Sequence, residues 1–216
     1  MTYATDINLL HWEPNLHAEA AWASQTLFAG TGTLAGTTFT VAGGSFLSAQ
    51  IKPRHVLRIT AGSGGSYPIV NVDSATQLTV SALYDALFDD TGSAVAPVGG
   101  ADLSFVVRTF SPQLRTVSDL LRQAAGIHPG TADADRSEIL NPEALRTPCA
   151  MGALQMIYNA LAAAAGDDAA HYAVRADLYE RLYRRTLRAV FIELDLNNDG
   201  RADTRRQLNL LELQRR

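Results

Sequence analysis

The first residues of this chain that could do chemistry are oxygen-bearing side chains at alternating positions of one short turn. Asp195, Asn197, Asp199 and Asp203, with Gly200 at the bend, follow the spacing with which a calcium loop begins. That spacing lets carboxylates converge on a hard cation as the chain coils around it. The last ligand of such a loop is a bidentate Glu, but the cation Arg206 stands in its place, and no second copy of the turn exists to pair with this one. The favoured expectation is an Asx-rich turn whose short side chains bond their own backbone, with Gly200 at positive φ. Calcium is the weaker alternative, and no other cofactor is expected.

Arg181, Arg184, Arg185 and Arg188 crowd the helical pattern just before the turn. Three- and four-residue spacing puts Arg181, Arg184 and Arg188 on one face, with Tyr179 and Tyr183 nearby. Such a row can pair with acids inside the fold or on another subunit, face DNA as a stripe, or stay solvated. Glu180 and the surrounding acidity favour pairing.

The remaining candidates read as packing and turns. Cys149 is the single cysteine, so no internal disulfide or cysteine-rich zinc site is available. It follows Pro148 near the start of an apolar helical pattern and reads as a small buried hydrophobe. His11, His17, His55, His128 and His171 are scattered without HExxH or a carboxylate at ligand spacing. His11 beside Trp12, and His17, read as packing or interface residues. The clusters Gly30-Thr-Gly32 and Gly62-Ser-Gly64-Gly65 lack the Lys-Ser/Thr and the helix that a phosphate loop requires. Nothing in these patterns builds an active site, and a non-enzymatic protein is the expectation.

With 216 residues, 47% of them hydrophobic, the chain can bury a real core as one elaborated domain or two small ones. No apolar run approaches the roughly 18–20 residues that span a bilayer. The start, MTYATDINLLHWEPN, has neither the basic opening nor the apolar stretch of a signal peptide. A soluble, untargeted protein without membrane contact is expected. Net charge is −4, divided unevenly: residues 1–174 carry a balance of −7 and residues 175–216 a balance of +3. All but one of the 18 basic residues are Arg, suited to planar, bidentate pairing. Ends of opposite sign suit head-to-tail contact between copies.

These residues need elements to position them. The spacing of Leu16, Ala20, Ala23 and Leu27, after Pro14, predicts a first helix over 13–29, ended by Gly30 and Gly32. Asp6 and Asn8 are expected to cap a short preceding turn. Alternating, β-branched stretches follow at 33–42, 55–60, 67–72, 77–83 and 103–109, separated by Gly43-Gly44, Gly62 to Gly65, Asp73-Ser74 and Gly99-Gly100. Five short strands without room for crossover helices predict a small antiparallel barrel or sandwich, with an exposed acidic loop from Ala86 to Val98. Helical spacing returns at Ser111-Pro112, with Leu114, Val117, Leu120, Leu121 and Ala124 as an apolar stripe ended by Gly126. A polar loop over 128–141 precedes helices over 148–165 and about 167–193. Beyond the turn, Gln207 to Leu213 alternates like a strand. The expected class is α+β: a helical bundle (1–32 and 110–204), an inserted small antiparallel β-barrel or sandwich module (33–109), and an extended strand-like tail (205–216).

Two stretches, DINLLHWEPNLHAEAAWASQTLFAGTGTLAGTTFTV and LYERLYRRTLRAVFIELDLNNDGRADTRRQLNLLEL, resemble head-to-tail connector proteins of tailed bacteriophages. These are the adaptors of the virion neck, which sit as a ring beneath the portal. The resemblance covers the two ends, about half of the chain, and is one of architecture. It implies a structural virion protein, assembled in the host cytoplasm, whose helical bundle joins a ring, commonly twelve-fold. The ring binds the portal above and a further neck or tail protein below, and it continues the channel through which packaged double-stranded DNA passes without sequence-specific binding. Under it, Arg205, Arg206, Leu208, Leu210, Leu211, Leu213, Arg215 and Arg216 become a portal-docking tail. Arg181, Arg184 and Arg188 become a subunit contact or channel lining, and Asp195 to Asp203 redirects the chain between them. The β module departs from compact all-helical adaptors. A head-completion stopper or tail-completion protein is the first alternative, and a calcium-binding module or enzyme unrelated to virions is the second. A terminal strand needs an edge to join, which another chain can supply. Deleting residues 205–216 is therefore expected to leave the monomer folded and to abolish portal docking.

Overall fold

The structure is a computed structural model that describes residues 2–60, 64–83, 94–127, 138–166 and 169–208. It is mixed α+β and divides into two compact units, Thr5–Phe110 and Met1–Ala4 with Ser111–Arg216. Residues 5–32, expected with the helices, therefore fall in the same unit as the strands.

The first unit opens with helix α1 (Asp6–Trp12) and the single turn α2 (Leu16–Glu19). Asn8 closes the start of α1, because the Thr5 N–H and hydroxyl both donate to its Oδ1, at 2.8 and 3.0 Å. The helix expected over 13–29 does not form. A 3-10 turn at Ala21–Ala23 ends the helical run, and strand β1 (Gln25–Ala35) begins inside the stretch whose spacing through Leu27 predicts a helix. Alanine-rich local preference yields here to pairing along β6.

Six strands close into an antiparallel barrel in the order β1-β2-β5-β4-β3-β6, one more than the sequence predicts. The others are β2 (Thr38–Val41), β3 (Val56–Ile59), β4 (Ser66–Val72), β5 (Gln77–Val80) and β6 (Gly100–Thr109). Closure decides between barrel and sandwich, and it leaves no open edge to pair with another chain. The expected strand over 33–42 is a hairpin, turning at Gly36 with φ +61°. Gly32, expected to end a helix, lies within β1. A Cβ there would stand 2.5 Å from the Phe39 ring and 2.8 Å from the Thr40 carbonyl oxygen, so only glycine fits. Phe105 makes edge contacts with Phe39, Phe28 and Phe46 at centroid distances of 4.8, 5.6 and 6.3 Å. Leu34, Leu57, Ile69, Leu78 and Val107 complete this core.

A carboxylate is buried in the same unit. Asp6 is 2% exposed and accepts the Phe110 N–H at 2.8 Å. Burial drives its pKa up to about 6, against the opposing pull of the Phe110 amide and the Thr109 hydroxyl. The folded state thus holds the proton more tightly than the unfolded chain, so stability falls as pH rises from about 4 to about 6 and is level above. Asp6→Asn keeps the acceptor without the charge, and is expected to stabilise the unit by up to about 3 kcal/mol at pH 7 and by little at pH 4. His17 and His55, held near 3 and 4 by burial, act oppositely: below about 6.5 the unfolded chain takes up protons that the folded state does not, so stability falls as pH falls. The difference between variant and wild type in urea melts at the two pH values isolates Asp6. An equal difference at both would contradict the assignment.

The second unit holds α3 (Ser111–Ala124), α4 (Arg146–Ala164) and α5 (Ala169–Ala189). Its three-stranded sheet has the order β7-β8-β9, with β7 (Glu138–Ile139), β8 (Phe191–Asp195) and β9 (Thr204–Gln207). Leu114, Val117 and Leu121 bury the stripe of α3, whereas Leu120 is exposed. Gly126, at φ +86°, ends the helix, and the following Ile127 N–H reaches back to the Arg122 carbonyl. α4 packs on both α3 and α5, and Gly152 permits the close approach of Val117 and Tyr183. Cys149 is buried beside Ser118, with Oγ and Sγ 3.3 Å apart, and burial raises its thiol pKa, as suits a core residue. The last helix stops four residues before the expected Glu193, because Phe191 onward pairs as β8. Among the described residues no helix is long and apolar enough to cross a membrane.

Candidate functional site

α5 is fixed from one side only. Of its 21 residues, Ala176 and Tyr179 alone are fully buried. Tyr179 stacks on Tyr158 of α4 at 5.6 Å and 7°, and Arg175 donates to the Tyr158 hydroxyl at 2.9 Å. Gln207 of β9 donates its side-chain amide to the Arg188 carbonyl, tying down the end of the helix. The outward face runs from Val174 and Leu178, which are 67% and 43% exposed, to Arg181, Arg184, Arg185 and Arg188.

Those four arginines and Ala189 line one open cleft of about 390 Å³. The expected trio Arg181, Arg184 and Arg188 is thus brought together, and Arg185 joins it. Its four-residue step from Arg181 is the signal that could have placed it there. Pairing within the fold or with another subunit is the favoured expectation; Arg184 donates to Glu180 one turn back. Arg181, Arg185 and Arg188 have no side-chain partner among the described residues.

The acidic turn joins β8 to β9. Asp195 Oδ1 accepts the amides of Asn197, Asn198 and Asp199 at 3.1, 2.6 and 3.3 Å, and Oδ2 accepts that of Gly200 at 2.6 Å. Asn197 and Asp199 each bond the amide two residues on, and Asp203 takes the Leu196 amide at 2.7 Å. Gly200 has φ +79°. The loop itself hides the Asp195 side chain, which is 0% exposed. That burial pushes its pKa up, but the four amides outweigh it and hold the carboxyl below the ordinary range. Asp195 therefore stabilises the turn fully above the ordinary carboxylate pKa, and this is lost as pH falls through the lowered folded value. Arg206, at the last ligand position, points away and donates to the Ala125 carbonyl at 2.9 Å. Asp195→Ala is expected to lower the melting temperature equally in calcium and in chelator. A loss confined to calcium-containing buffer would make Asp195 a metal ligand.

The expected docking residues divide. Arg205 lies over the Phe191 ring at 4.8 Å and, like Arg206, belongs to β9, paired with β8 of the same chain. The chain supplies that edge itself, so a partner is not needed for these two residues. Leu208 follows β9, half-buried, and Leu210, Leu211, Leu213, Arg215 and Arg216 lie outside the described residues, as does His128. His17 is fully buried against Phe110, its rings 5.2 Å apart, and His11 meets Trp12 at 5.9 Å. Gly30 and Gly32 are strand residues rather than a phosphate loop. Among the described residues no three His, Cys, Asp or Glu side chains are grouped to hold a metal. Comparison with known proteins matches this chain to no family model, no curated protein and no solved structure.

Proposed function

We propose that this chain is a structural, non-enzymatic virion protein: an adaptor whose copies form a ring beneath the portal of a tailed bacteriophage, in the neck between capsid and tail. The observation that carries the reading is α5. A helix of 21 residues with two buried positions, ending in an arginine cluster, is built to be covered by something outside its own unit. In the ring that cover is a neighbouring copy or the channel content. The chain beyond β9 is left for the portal, and the barrel unit for a further neck or tail protein.

The closed barrel favours one second reading, a head-completion stopper or tail-completion protein. Both readings place function in interfaces, and symmetry separates them. Electron microscopy of the chain bound to the portal of its own virus is expected to show a ring of about twelve copies, since closed cyclic symmetry must follow the portal. A ring of about six would favour the stopper or tail-completion reading instead.

A further inference from the structure

Three guanidinium groups on α5 have no side-chain partner among the described residues. Arg181, Arg185 and Arg188 are exposed and, among the described residues, unpaired, while Glu180 already holds Arg184. They stand at i, i+4 and i+7 on one helix, so like charges are stacked along one face, which by itself weakens a helix. The step from Arg181 to Arg188 covers about 10 Å of helix axis. One strand of duplex DNA presents a phosphate every ~3.4 Å along its axis, so the same length offers about three phosphates. A guanidinium meets phosphate oxygens bidentately without reading sequence.

The competing occupant is an acidic patch on a second copy. No three His, Cys, Asp or Glu side chains among the described residues are grouped closely enough to hold a cation, and the oxygens of Asp195 are engaged by its own loop. An acidic partner would have to meet the arginine spacing with separate side chains, whereas a phosphate backbone meets it by its own repeat.

We propose that Arg181, Arg185 and Arg188 form a sequence-independent binding strip for the phosphate backbone of duplex nucleic acid. In the ring this turns α5 toward the DNA path, and to that extent it rests on the neck reading, but binding itself is a property of the single chain. The test is fluorescence anisotropy of a labelled random-sequence DNA duplex titrated with the full chain across a salt series. Three phosphate contacts predict a slope of log affinity against log salt of about −2.7, roughly a 40-fold loss between about 50 and about 200 mM salt. Combined Arg181→Ala, Arg185→Ala and Arg188→Ala is expected to abolish binding, while Arg201→Ala, in the exposed turn, leaves it unchanged. The conservative Arg185→Gln alone is expected to reduce the slope by about 0.9. Circular dichroism of the variants checks the fold, which Ala176 and Tyr179 hold without these side chains. Undiminished binding by the triple variant overturns the proposal, as does binding without the salt slope. Polyglutamate competing as well as DNA would assign the strip to an acidic protein, and inorganic phosphate doing so would make it a free-anion site; either overturns it. DNA binding without portal docking would defeat the neck reading alone, and docking without DNA binding would defeat this inference alone.

Discussion

Phe105→Ala is expected to cost the barrel about 3–5 kcal/mol, the range for removing a buried aromatic ring from a core that relaxes only partly. Phe105 is 3% exposed and, among the described residues, is the one ring that contacts Phe28, Phe39 and Phe46 together. Its removal leaves a cavity bounded by three rigid rings and by strands whose register is fixed on both sides, so the space cannot close by small shifts. With total stability of small domains near 5–15 kcal/mol, such a loss brings the unit close to its unfolding midpoint. Urea melts followed by circular dichroism read it directly. A loss below about 1 kcal/mol would mean that this core does not depend on the ring.

Removal of residues 209–216 is expected to abolish portal docking and to leave the melt of the described fold unchanged. The longer deletion from 205, judged from sequence to spare the monomer, is expected to fail in a second way. It takes Arg205, Arg206 and Gln207 out of β9, whose partners on β8 are Glu193, Ile192 and Phe191. It also removes the Arg206 bond to Ala125 and the Gln207 bond to Arg188, which tie β9 to the ends of α3 and α5. The longer truncation should therefore lower the melting temperature as well as docking, and the shorter one only docking. Sedimentation with portal rings, beside thermal melts of both truncations, measures the two effects. Unimpaired docking by the shorter form would remove the docking role from the terminal residues.

Strands β3 to β6 were legible because their alternation runs against Gly and Asp turns, and the helix α3 because Pro112 and Gly126 punctuate it. β1 was not. AEAAWASQTLFA has the composition of a helix, and only pairing with β6 over Gln25 to Leu34 makes it a strand, information carried some seventy residues away. The end of α5 failed for the same reason, although Val190, Phe191 and Ile192, three residues of high strand preference in a row, carried the signal. The Asx reading of the turn needed only local chemistry, since Asp195 bonds amides within five residues of itself, and it is found as expected. Arg181, Arg184 and Arg188 could be put on one face by spacing. The Arg184 partner was legible too, since Glu180 stands one turn back on the same helix.

The central claim is tested most directly by native mass spectrometry of the purified chain, alone and mixed with the portal ring of its own virus. The account predicts a monomer alone and about twelve copies on the ring, with mass in whole rings rather than a spread of stoichiometries. A chain that stays monomeric in the presence of portal would contradict it.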